Sequence, residues 1–228
     1  MNNHCLLFVL FISITFSNAQ QGINSLSSGG YDYAFLDLKN DDDSQIKGSK
    51  YLTENFNRAG ISDFEDKVFA VRYDVFNDQM EFQGGNNQIY IMSKDDRTRK
   101  ITFLDTNNTY SIHDYISDEN LTRSGYFVSL NSDSKYKILK KNKIVFIEEK
   151  ASATGYDAPH PATYKKTKDR HYISINNEPA ILVDTNKKRF SSIFIGQEKK
   201  VLGFIKKNKI KLSNDNDLLS LVEFMNIK

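Results

Sequence analysis

The stretch KVFAVRYDVFNDQMEF (residues 67–82) decides the fold class of this chain. Its first nine residues alternate between two faces, so that Phe69, Val71 and Tyr73 share one face. Alternation with a period of two predicts a half-buried β-strand. Asn-Asp-Gln (77–79) predicts a turn, and the alternation then resumes. The stretch therefore predicts an antiparallel hairpin, in which we expect the aromatic residues to fill the core.

Other short runs with β-type patterns follow along the chain and are separated by turn residues. They lie at residues 88–93, 100–105, 109–113, 125–131, 135–140, 143–149, 171–175 and 180–183. Lys141-Asn142 predicts a tight hairpin between two of these runs. Residues 151–169, which contain Gly155, Pro159 and Pro161, predict an extended loop. The segment at 176–179 predicts one more hairpin.

The pattern changes to a helical period near residue 184. Apolar stripes predict short helices over 186–195, 197–208 and 215–226. The first has Thr185 or Asn186 as its N-cap, and the last has Ser213 or Asn214. We therefore predict an α+β fold, with an antiparallel meander of about eight to ten short strands followed by two to three short C-terminal helices.

The first 19 residues, MNNHCLLFVLFISITFSNA, have the features of a cleaved signal peptide. An apolar run of twelve residues precedes Ser-Asn-Ala, which predicts cleavage between Ala19 and Gln20. We expect export to the periplasm or the exterior and no transmembrane segment in the mature chain, because the run is short for a membrane span. The single cysteine, Cys5, leaves with this peptide. Its loss would exclude disulfides, thiolate zinc sites and cysteine nucleophiles.

These features divide the chain into a signal peptide and one folded domain. We expect a flexible polar leader at 20–47, an antiparallel sheet region at 48–183, and a helical element at 184–228. The helical element would pack on the sheet and form one domain with it.

The charge of the chain is divided unevenly between its halves. Residues 1–120 hold 18 acidic and 10 basic residues, whereas residues 121–228 hold 11 acidic and 21 basic residues. The bases of the second half are 18 lysines and 3 arginines, and phosphate recognition favours arginine, so we expect no nucleic-acid partner. The C-terminal lysines are candidates for binding an anionic lipid or glycan surface: Lys199, Lys200, Lys206, Lys207, Lys209 and Lys211.

The histidines offer one candidate for catalysis. His113 precedes Asp114, and a carboxylate can orient an imidazole, but adjacent strand residues point to opposite faces. We interpret His171, at a strand start, as a surface residue. No nucleophile elbow accompanies His113, and metal-binding and phosphate-loop motifs are absent. We therefore expect a protein without a catalytic site, metal or cofactor.

Arg72, Asp74 and Glu81 have two interpretations. On neighbouring strands, Arg72 and Asp74 can pair with an opposite charge such as Glu81, which is a structural role. Alternatively, the three side chains line a ligand cleft on an open sheet face. With His113, they are our candidate ligand-binding residues.

Two blocks of the sequence resemble an uncharacterised family of exported bacterial proteins. Residues 48–82 contain GSKYLTENF and RYDVFNDQMEF, similar to the family's G-x-x-Y-L block and R-Y-N-x-x-x-D-x-M-E-F strand pair. Residues 204–226 (FIKKNKIKLSNDNDLLSLVEFMN) are similar to its Lys-rich closing helices, and GYFVSL with KYKILKK matches its middle. Asp74 stands where the family usually has Asn. The resemblance implies an exported α+β protein and supplies no activity or catalytic residues.

We therefore predict an exported envelope protein that acts by binding, as an accessory or ligand-binding factor. Its partner would be another envelope protein or an anionic lipid or glycan surface. One alternative is an envelope hydrolase that uses His113 with a carboxylate. The other is an anionic lipid or glycan binder that acts through the C-terminal lysines.

Overall fold

A computed structural model of the chain describes residues 24–25, 34–37, 45–64, 67–84, 88–131, 134–150 and 160–227. The expected signal peptide at 1–19 lies outside these residues, as does most of the expected leader at 20–47. Within the described ranges, no helix combines the length and the apolar character that crossing a membrane requires.

The described strands are β1 (Asn24–Ser25), β2 (Ala34–Asp37), β3 (Asn57–Ile61), β4 (Val68–Asp74), β5 (Gln79–Gln83), β6 (Ile89–Ile91), β7 (Lys100–Phe103), β8 (Thr109–Ile116), β9 (Thr122–Ser129), β10 (Tyr136–Lys141), β11 (Ile144–Ile147), β12 (Thr163–Lys166), β13 (Arg170–Ile175) and β14 (Ile181–Leu182). The helices are α1 (Lys187–Ser192), α2 (Glu198–Lys207) and α3 (Asp215–Asn226).

Most of these strands form one sheet, in the order β1-β2-β6-β5-β4-β3-β7-β8-β9-β10-β13-β14. Every neighbouring pair is antiparallel. Two meanders, β3 to β6 and β7 to β10, extend in opposite directions from the β3–β7 pair. The predicted α+β class, with an antiparallel sheet followed by short helices, is confirmed.

The hairpin of β4 and β5 forms as the sequence predicts. Val71 and Tyr73 are buried in the core, and Arg72 pairs with Glu81 across the two strands. Phe76 is an exception to the expected aromatic core, because its side chain is 42% exposed. Since β4 ends at Asp74, Phe76 lies in the turn, where strand alternation no longer directs side chains inward.

The predicted hairpin at Lys141-Asn142 is wrong. Strand β10 pairs with β9 and β13, whereas β11 leaves the sheet and pairs with β12 to form a separate ribbon. Strand β12 lies within the predicted extended loop. The ribbon is held to the segment before β3 by a parallel bridge between Lys47 and Thr163. The hairpin of β13 and β14 is confirmed.

The three helices lie close to their predicted positions and pack on the sheet. Asn186 caps α1, and Asn214 caps α3 through its side chain. Leu218 and Leu221 of α3 are fully buried in one cluster with Ile138 and Ile173 of the sheet. A second cluster fills the other part of the molecule around Val71, Tyr73 and Tyr110 and lies between the sheet and the ribbon residue Ile144.

Candidate functional site

A cavity of about 230 Å³ opens where several strands end together. The ends of β8 and β10 and the start of β13 meet the turn that follows β4. We call it the strand-end cavity, and its lining residues are Val75, Phe76, Asp78, Tyr115, Ser117, Asp118, Glu119, Arg123, Lys141, Asn142, Lys143, Ile144, Arg170 and Tyr172. Ligand pockets for drug-sized molecules typically measure roughly 300–1,000 Å³, so this cavity suits a smaller molecule.

Asp78 forms the centre of a charged cluster in the cavity wall. Its backbone has φ 56°, a left-handed conformation that Asp and Asn adopt more readily than other side chains. This turn brings the carboxylate to the Tyr73 hydroxyl at 2.5 Å, Lys141 Nζ at 2.8 Å and Lys94 Nζ at 3.0 Å. Burial raises the pKa of Asp78, but the two ammonium groups outweigh burial and leave the pKa below its usual value.

Lys141 is the most enclosed cation of the cavity, with a side chain only 13% exposed. Its Nζ lies 4.7 Å from the ring centre of Phe127 and 5.3 Å from that of Tyr115. Burial lowers the pKa of Lys141, and Asp78 offsets this only in part. The ammonium has room because residue 125 is glycine. A Cβ there would lie 2.6 Å from Nζ.

A second carboxylate lies at the mouth of the cavity. Asp118 accepts from Arg170 Nη1 at 2.7 and 2.8 Å, and Lys143 Nζ lies 3.6 Å from it. The bond from Arg170 lowers the pKa of Asp118. Nearby, Arg123 pairs with Glu119 at 3.2 Å, and both side chains are more than half exposed.

The charges that line the cavity therefore do not balance. Four cationic side chains face three carboxylates. Asp118 is shared by Arg170 and Lys143, and Asp78 by Lys141 and Lys94, which lies outside the lining. Such a wall attracts an anion, while its carboxylates can accept hydrogen bonds from hydroxyl groups.

Three of the predicted ligand-binding residues contact one another, their own hairpin or the segment before β3. Arg72 Nε donates to the buried Glu81 at 2.7 Å, and Nη2 donates to the Tyr51 hydroxyl at 2.8 Å. The guanidinium lies 3.8 Å from the Tyr51 ring centre and 4.5 Å from that of Phe56. Asp74 is buried, and it accepts from the backbone and side-chain nitrogens of the turn residue Asn77. These contacts are those that a structural role predicts, and the ligand-binding interpretation stays a prediction.

His113 lies elsewhere on β8 and is not among the residues that line the strand-end cavity. Its Nε2 is 2.9 Å from Ser111 Oγ and 3.5 Å from Ser129 Oγ. The Asp114 carboxylate is held by Arg97 and by Ser124. The hydrolase interpretation of His113 stays a prediction.

His171 belongs to a cluster that the sequence did not indicate. The side chain is 8% exposed, so its interpretation as a surface residue is wrong. Its Nε2 lies 2.6 Å from Asp215 Oδ1, and Lys140 Nζ lies 2.8 Å from the other oxygen of Asp215. Because Lys140 and His171 are opposite each other on β10 and β13, this cluster attaches the start of α3 to the sheet.

The C-terminal lysines lie where the helical pattern places them. The six predicted surface lysines, at 199, 200, 206, 207, 209 and 211, are all exposed on α2 and the segment after it. The part of the chain that the structure describes contains no group of three or more side chains suited to hold a metal ion.

The charged wall of the strand-end cavity was missed at the sequence level. Asp78 and Lys141 are 63 residues apart, and Asp118 and Arg170 are 52 apart. No local motif marks these residues, because their proximity depends on strand order. The only usable signal was Asp78 in a predicted turn.

No protein family, curated protein or solved structure matches this chain. The resemblance to exported bacterial proteins therefore stays a prediction.

Proposed function

We propose that this chain is an exported cell-envelope protein that acts as a ligand-binding factor, and that its strand-end cavity binds a small anionic molecule. One observation carries the proposal. The ion-pair groups around Asp78 and Asp118 each contain two cations for one carboxylate. An anionic ligand would supply the missing negative charge.

Binding is better supported than catalysis at this cavity. His113 is not among the lining residues, and each lining carboxylate is engaged by cations. Tyr115 and Tyr172 add aromatic surface, and burial raises the pKa of each hydroxyl, so both are neutral hydrogen-bonding groups at pH 7. A few polar groups beside an aromatic wall are typical of small-molecule sites.

Lys143 is the residue through which to test the proposal. Its Nζ lies 3.6 Å from Asp118, beyond hydrogen-bonding distance, so it is more loosely held than Lys141. Lys143→Gln therefore removes a cation from the cavity with little effect on the fold. Lys188→Gln on α1 is the matched control, because it removes an exposed lysine from a helix that does not line the cavity.

Calorimetric titration of the mature protein with glucuronate, citrate and inorganic phosphate tests the proposal, with glucose as the neutral probe. We expect one-to-one binding of at least one anion, weakening as salt rises, and a loss of about tenfold in Lys143→Gln, since one charged contact contributes about 1.5 kcal/mol. Lys188→Gln should bind like the wild type. Equal binding of glucose, or unchanged binding in Lys143→Gln, would refute the proposal.

A further inference from the structure

Three aromatic rings, two of them exposed, form a ridge beside the strand-end cavity. Phe76, Phe146 and Tyr164 lie with ring centres 5.1 to 6.3 Å apart. Phe76 is 42% exposed and Phe146 is 39% exposed. We call these three residues the aromatic ridge. Clusters of exposed large apolar side chains commonly mark binding surfaces on folded proteins.

The ridge is continuous with the cavity. Phe76 belongs to the ridge and also lines the cavity. On the ribbon, Phe146 is paired with Tyr164, and Ile144 is paired with Lys166 two residues along on the same face. Ile144 lines the cavity, so the ribbon face that carries Phe146 also reaches the cavity wall.

The ridge is held in place by the backbone beneath it. Lys47 and Thr163 form a bridge, and the Tyr164 amide donates to the Lys47 carbonyl at 2.8 Å. Gly48 has φ 81°, and a Cβ at this position would collide with the Tyr164 carbonyl oxygen. The close approach of these segments fixes Tyr164 relative to the sheet, so the ridge is preorganised for a ligand.

We infer that the aromatic ridge and the strand-end cavity form one elongated site for an acidic oligosaccharide. This inference rests on the proposed function of the cavity. The carboxylate of one uronate-type sugar would lie against Lys143 and Arg170. The neighbouring sugar rings would lie across the ridge, their apolar faces against Phe76 and Phe146.

The mixed charge of the site selects this class of ligand. A uronate oligosaccharide carries one carboxylate and several hydroxyl groups per ring, so it can satisfy cations and also donate to Asp118 and Glu119. A DNA phosphodiester backbone carries a similar charge per unit, but it lacks the hydroxyl groups that could donate to those carboxylates. A neutral sugar leaves the cation excess unmatched.

Calorimetric titration with five probes tests the inference: glucuronate, a hexamer of uronate sugars, a neutral glucose hexamer, hexaglutamate and a single-stranded DNA hexamer. We expect the uronate hexamer to bind at least tenfold tighter than glucuronate and tighter than the other three hexamers. Equal affinity of glucuronate and the uronate hexamer would overturn the elongated site and leave the proposed function intact. Tighter binding of the peptide, the DNA or the neutral hexamer would overturn the choice of ligand.

Single substitutions distinguish binding at the aromatic ridge from binding in the strand-end cavity. Phe146→Ala should remove most of the advantage of the uronate hexamer and leave glucuronate affinity unchanged, because Phe146 does not line the cavity. Leu104→Ala is the matched control, since Leu104 is 41% exposed and follows β7, near the opposite end of β8. Lys143→Gln should weaken both ligands. If the uronate hexamer binds Phe146→Ala as tightly as it binds the wild type, the role of the ridge is refuted. If glucuronate does not bind the wild type, the cavity is refuted as the site that holds the sugar carboxylate.

Discussion

Asp78→Asn is the substitution that tests the charged cluster most directly. Asn has nearly the same shape as Asp and adopts the left-handed conformation of residue 78 equally well, so the backbone is not strained. The change removes the negative charge between Lys141 and Lys94. The Tyr73 hydroxyl keeps an acceptor in the amide oxygen.

The expected loss of stability follows from the exposure of the two cations. The side chain of Lys94 is 30% exposed and can recover hydration, so its lost ion pair costs little. The side chain of Lys141 is 13% exposed, and its ammonium would remain buried without a counter-charge. Removing one partner of a buried pair costs about 3–5 kcal/mol. We expect about 3 kcal/mol here, because the cluster borders an open cavity.

The pH dependence of this loss has a defined sign. Burial already lowers the pKa of Lys141, and removing Asp78 lowers it further. The folded variant therefore releases the Lys141 proton at a lower pH than the unfolded chain. Between these two pKa values the unfolded state binds more protons, so the stability of the variant rises with pH. The difference from the wild type should shrink as pH rises toward the ordinary pKa of lysine.

Urea denaturation followed by circular dichroism at pH 7 and pH 9.5 measures these effects. The double variant Asp78→Asn/Lys141→Met is the control, and it should be more stable than Asp78→Asn alone because the unpaired buried cation is gone. If Asp78→Asn lowers the free energy of unfolding by less than about 0.5 kcal/mol at pH 7, the cluster contributes no more than an exposed surface ion pair, and the reasoning is refuted. A double variant less stable than the single one would also contradict it.

Two further predictions concern the ribbon and the helix attachment. Gly48→Ala should destabilise the fold by about 1–3 kcal/mol, because φ 81° and the Tyr164 carbonyl both exclude a Cβ. The control Gly203→Ala, in the open interior of α2, should instead stabilise it by about 1 kcal/mol in the same urea assay; equal stability of the two variants would contradict the prediction. Asp215→Asn should be less stable than the wild type near pH 7. Burial raises the pKa of Asp215, but the bonds from Lys140 and His171 leave this pKa below its usual value. The ionised carboxylate therefore stabilises the fold at pH values above the usual carboxyl pKa, and this stabilisation disappears as pH falls through the pKa of the folded state. Urea denaturation at pH 7 and pH 3 tests this, because the free energies of unfolding of the wild type and Asp215→Asn should converge at the lower pH. A stability difference that is the same at both pH values would refute the prediction.

Strand alternation and helix capping were readable from the sequence because they depend on residues a few positions apart. The hairpin of β4 and β5 and the caps Asn186 and Asn214 follow from such neighbours. Strand partners were less readable. The runs on either side of Lys141-Asn142 look like a hairpin, yet β10 and β11 take partners from distant segments. Pairing depends on how whole faces are buried, and a local pattern does not contain that information.

The sequence by itself determined the class of the fold, the placement of its helices and the uneven distribution of charge. Only the tertiary structure decided which charges meet. Asp78 and Lys141 share a cavity wall because the turn after β4 lies against the end of β10, and Arg170 reaches Asp118 because the end of β8 bridges to the residue before β14, the strand that pairs with β13. Local patterns arise from the geometry of consecutive residues, whereas a cavity arises where separate strands end together. The candidate site is therefore a property of strand order.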